Sequence, residues 1–102
     1  MSHIESRENR RRDLASGVSS SHVEAAIAEW DRVGRDSFLH RYSASRAQRY
    51  VLVRGAKEYD AKALLHAAAQ FAGTWDPDAN YRGDRGSVAE PLMRLGFEIH
   101  EV

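Results

Sequence analysis

From Ser21 onward the chain switches between two hydrophobic periods. Val23, Ala26, Ile27, Trp30 and Val33 recur at helical spacing, which predicts an amphipathic helix with one buried face. Ser21-His-Val-Glu24 at its start has the form of a capping box, in which the serine accepts from the N3 amide and the glutamate reaches back. Gly34 supplies a left-handed stop. A shorter helix is predicted over Asp36 to Tyr42, with Phe38, Leu39 and Tyr42 turned inward. Tyr50 to Val53 then alternates and is β-branched, which is strand chemistry. Alternation puts Tyr50 with Leu52 on one face and Val51 with Val53 on the other.

Gly55-Ala56 can reverse the chain, so Lys57 to Tyr59 returns as an antiparallel partner. Asp60 sits where an N-cap belongs, ahead of Ala61, Leu64, Leu65, Ala68 and Phe71 on one helical face, and Gly73 ends that helix. The stretch TWDPDANYRGDRG, residues 74–86, is loop chemistry. Ser87-Val-Ala-Glu90 looks like a second capping box, with Pro91 tolerated in the first turn. Val88, Leu92 and Leu95 form the buried face of this helix and Gly96 stops it. Phe97 and Ile99 alternate with Glu98 and His100 as a last strand. The predicted fold class is α+β: four helices on a small antiparallel sheet of two to three strands, in the order α-α-β-β-α-α-β.

Residues 1–20 read differently. RENRRRD is charged without apolar periodicity and ASGVSSS is small, so the expectation is a flexible N-terminal tail followed by one domain over residues 21–102. A length of 102 residues with 42% hydrophobic content suits a single core. The absence of cysteine excludes thiolate metal sites and disulfides and suits a cytoplasmic protein. No apolar run is long enough for a membrane span, so no membrane partner is expected.

Charge sharpens the picture. The formal net charge is zero, yet Arg41 to Lys62 carries six basic residues against Glu58 and Asp60. From Asp76 onward six acids face Arg82, Arg85 and Arg94. Both lysines of the chain, Lys57 and Lys62, stand at the hairpin corner beside Tyr59 and Asp60. A basic middle of this kind suits phosphate contacts, and Arg46, Arg49, Arg54, Lys57, Tyr59 and Lys62 are the candidate nucleic-acid-binding residues. The alternative is a protein-docking loop built from Trp75, Tyr81, Arg82 and Arg85.

Catalytic signals are missing. There is no phosphate loop, dinucleotide fingerprint or nucleophile elbow, and the five histidines are scattered. Asp60-Ala61-Lys62 has the Asp-x-Lys shape of some metal-dependent nucleases, but that chemistry needs an upstream acid and a strand edge. Asp60 reads better as a helix cap. No enzyme activity, catalytic residue, metal or cofactor is expected.

Three segments in order resemble a known family: VGRDSFLHRY, then RYVLVRGAKEYDAKAL, then GSVAEPLMRLGFEI. They are similar to the N-terminal head domain of McrA-type modification-dependent HNH restriction endonucleases, over about Val23 to Ile99. The matching positions are Tyr50, Tyr59, Asp60, Lys62, Gly96 and Phe97. The loop before Ser87 is longer and more acidic than that family's corner. The resemblance implies an accessory domain of DNA-restriction proteins, standing beside modules that read modified DNA and an HNH nuclease. No such module follows within these residues, so any cleavage is expected to belong to another chain. The expected partners are DNA, through its phosphate backbone, and a protein such as an HNH nuclease.

Overall fold

The computed structural model describes residues 11–12, 14–44, 49–81 and 83–102. Two of the candidate site residues, Arg46 and Arg82, lie outside them. In chain order the elements are β1 (Arg11–Arg12), α1 (Ser20–Val33), α2 (Arg35–Arg41), β2 (Tyr50–Arg54), β3 (Lys57–Asp60), α3 (Ala61–Ala72), β4 (Asn80–Tyr81), a π-helical turn (Arg85–Ala89), α4 (Glu90–Arg94) and β5 (Glu98–Glu101). Four α-helices and a three-stranded antiparallel sheet give the α+β class that the hydrophobic pattern predicts. β1 and β4 add a two-residue parallel pair.

β2 is the central strand of the sheet, with β3 and β5 on either side. Val51 stands opposite Asp60 and Arg54 opposite Lys57 on one side; Tyr50 faces Glu101 and Val53 faces Glu98 on the other. Tyr50 and Leu52 are buried while Val51 and Val53 are half-buried, the two faces that alternation assigns. α3 is rich in alanine on its inner side, with Ala61, Ala63, Ala67, Ala68 and Ala69 all buried. Small side chains let α1 lie close against it. Between them Trp30 packs on Phe38 and on Tyr59, with ring centroids 4.9 and 5.4 Å apart. Phe71, expected on the inner face of α3, is instead exposed.

Several local expectations shift. The N-cap of helix α1 is Ser19, two residues ahead of the expected Ser21; the Ser19 amide donates to Nδ1 of His22 at 3.0 Å. Histidine therefore takes the position that the capping-box reading gave to Glu24, and Glu24 is left free to pair with Arg54. Gly34 takes φ 88 and ψ 164 between α1 and α2, a region open essentially to glycine alone. Ser87 does not cap a helix. Asp84 accepts from the Ser87 amide at 3.2 Å and the turn widens to π geometry before α4 begins. Pro91 has no N–H to return to the preceding turn, which leaves that turn free to widen.

The core also begins earlier than the sequence pattern placed it. Leu14 is 2% exposed and belongs to the core, with Ala15 and Val18 packed against it. A single leucine among small polar residues carries no periodicity, so nothing local marked it as buried.

Candidate nucleic-acid interface

The hairpin of β2 and β3 lays its basic side chains across α1. Arg54 makes a two-pronged contact with Glu24, donating to its two carboxylate oxygens at 2.8 and 2.7 Å. Two turns further along α1, Asp31 accepts from the Tyr59 hydroxyl at 2.8 Å and from Lys57 at 3.2 Å. The hydrogen bond from Arg54 holds the Glu24 carboxyl below its ordinary value. That of Asp31 is lowered first by the Tyr59 hydroxyl and then by Lys57. Burial, with the Asp31 carboxylate behind it, pushes the Tyr59 phenol up to about 12. Tyr59 is 1% exposed, so its ring supports the hairpin from beneath. Three of the candidate residues are thus joined to acids of their own chain, which explains why the corner collects such groups. Sequence reasoning missed the acids because their partners lie about thirty positions away.

Asp60 occupies the N-cap position of α3, but its side chain caps nothing. Arg35 takes both of its oxygens, at 3.0 and 3.3 Å.

The other two described candidates, Arg49 and Lys62, meet elsewhere. They line a cleft of about 740 Å³ together with Leu14, Tyr42, Tyr50, His66, Trp75 and Tyr81. Its wall is a stack of rings: His66 lies on Trp75 at 3.5 Å and Trp75 on Tyr81 at 4.7 Å between centroids. Tyr42 and His66 meet edge to face, with centroids 5.4 Å apart. The Tyr81 hydroxyl accepts from the Asp76 amide at 2.9 Å, which fixes the loop to the stack. Lys62 passes its stem along Gly83, and its Nζ reaches the Tyr81 carbonyl only at 3.5 Å. Among the described residues no carboxylate pairs with it. Arg49 lies over the Tyr50 ring at 5.1 Å and approaches Glu101 at 3.8 Å, a loose exposed pair.

Burial and then the nearby charge of Lys62 lower His66 to about 4. It is therefore neutral near pH 7, with Nε2 against Gln70 at 3.0 Å. Trp75 and Tyr81 turn their ring faces to one another, and Arg85 pairs with Glu90 at 3.3 Å. Trp75 and Tyr81 stay half-buried and Arg85 exposed. Among the described residues no group of three or more histidine or acidic side chains is placed to hold a metal ion. None of the described helices is long and apolar enough to cross a membrane.

The family described as ScoMcrA-like, N-terminal head domain, matches residues 16–101. The chain belongs to that family. The matched range takes in the hairpin corner and the cleft-lining residues other than Leu14. A solved structure of the Type IV phosphorothioation-dependent restriction endonuclease ScoMcrA is similar to it, with a TM-score of 0.62 and 26% identity. The similarity covers 84% of this chain and 13% of that one. The chain therefore spans a small fraction of the length of that endonuclease. No curated protein matches it.

Proposed function

We propose that this head domain is a small non-catalytic DNA-binding accessory module of a restriction system, acting in the cytoplasm. Membership of a restriction-endonuclease head family supports the setting. The observation that carries the DNA contact is Lys62: a lysine lining the cleft, without a carboxylate partner among the described residues, with Arg49 in the same lining. A cation in the first turn of a helix stands against the local dipole, and an external phosphate relieves that placement. Arg54 and Lys57 contribute less, because binding DNA would first require them to leave Glu24 and Asp31.

Anisotropy of a dye-labelled oligonucleotide, titrated at two salt concentrations, tests this. Removing Arg49 and Lys62 together reduces the salt slope by about two, one for each lost phosphate contact. Removing Arg54 and Lys57 together changes it by much less. A larger effect of the Arg54 and Lys57 pair would place the contact on the hairpin instead. Absence of binding at low salt would sink the proposal.

A further inference from the structure

Most of the paired exposed cations differ from Lys62 in one respect. Arg35, Arg41, Arg54, Lys57 and Arg85 each pair with a carboxylate of the same chain. A duplex would have to lie across such outer surface, because it is too wide to enter a cleft of about 740 Å³. At Lys62 the balance is reversed. Asp60 is 3% exposed and held by Arg35, and Asp84 accepts from the Ser87 amide. Lys62 has only a long contact to a carbonyl. The walls are aromatic, and the volume falls in the range of pockets that enclose small organic ligands.

We infer that the cleft takes one unpaired nucleotide of a DNA strand, with its phosphate at Lys62 and its base against the Tyr81–Trp75 wall, so that the domain favours single strands over duplex. This rests on the DNA-binding reading above and specifies the form of DNA. Tyr81 has one ring face on Trp75 and is itself only half-buried. Stacking on such a platform is tolerant of base identity, because every base has a π-face. The neutral state of His66 leaves Lys62 and Arg49 as the positive groups of the cleft. A lysine supplies a point charge to a phosphate rather than a fork, and Arg49 stands in the same lining for a neighbouring phosphate of the strand.

The test uses the whole chain and a labelled single-stranded oligonucleotide, with the blunt duplex of the same sequence beside it. The single strand binds about tenfold tighter than the duplex, the order of one stacked base. An unlabelled deoxynucleoside monophosphate displaces the label at lower concentration than inorganic phosphate does. Lys62→Met keeps the aliphatic stem along Gly83 but removes the charge, and single-strand affinity falls by about tenfold at low salt. Lys62→Arg retains most of it. Duplex bound as tightly as the single strand overturns this inference and leaves the DNA-binding proposal standing. Inorganic phosphate competing as well as the mononucleotide overturns the place given to the base. Failure to bind either form overturns both readings.

Discussion

Arg35 closes on Asp60 with hydrogen bonds of 3.0 and 3.3 Å, joining the start of α2 to the start of α3. The aspartate is 3% exposed, while the arginine side chain remains 42% exposed. The pair therefore stands between a buried and a surface salt bridge. Replacing Arg35 by alanine leaves a carboxylate buried without its cation, which costs about 2 kcal/mol or more. A helix cap at this position would contribute about 1 kcal/mol through Asp60 alone and nothing through Arg35. Chemical denaturation of Arg35→Ala and Asp60→Ala separates the two accounts. If only the aspartate variant loses stability, Asp60 acts as a cap in solution.

His66 gives the domain an acid limb. Its folded value lies at about 4, below the unfolded one, because burial and then Lys62 disfavour its charged form. Between about 6.5 and 4 the unfolded chain therefore binds a proton that the folded chain does not. The sign follows: this contribution is fully present above the unfolded value and is lost as pH falls through that window. His66→Phe keeps a flat ring against Trp75 and removes the titration. Its stability, followed by denaturant melts from pH 7 to 4, falls less steeply than that of the parent. Parallel curves would show that the stack does not exclude water from the imidazole.

What the sequence disclosed follows the range of each signal. The alternation of Tyr50 to Val53 and the stripe from Val23 to Trp30 are local patterns, and the structure has both on the faces expected. The hairpin corner was legible in part: Lys57 and Tyr59 converge there on Asp31, whereas Lys62 turns to the cleft and Asp60 to Arg35. Their partners were not legible. Glu24 reads as a capping glutamate, yet His22 is nearer to the true cap and frees Glu24 for Arg54. Asp60 stands at the cap position, yet an arginine 25 residues earlier takes its oxygens. Charge pairing depends on which helix lies across which hairpin, and no local period records that. The cleft was hidden for the same reason. Lys62, His66, Trp75 and Tyr81 looked like separate events on a helix and a loop, and only the folding back of the loop stacks them.

Leu14 and Gly17 carry the last test, because they decide where the folded part begins. Leu14 is 2% exposed and lines the cleft. Gly17 has φ +79, and a Cβ built there would stand 2.8 Å from Cγ2 of Thr74. The segment before α1 is thus pressed against the start of the loop that carries Trp75. Leu14→Ala leaves a cavity and costs about 2–4 kcal/mol. Gly17→Ala meets both an unfavourable backbone region and a close side chain, and costs about 1–3 kcal/mol. Ser16 is exposed, so Ser16→Ala stays within about 0.5 kcal/mol of the parent. Urea melts of the three variants check this. If Leu14→Ala and Gly17→Ala unfold with the parent, residues 14–18 belong to a tail and the core starts at α1. If both lose stability while Ser16→Ala does not, the leucine and the glycine fasten residues 14–18 to the folded body, and the domain begins ahead of its first helix.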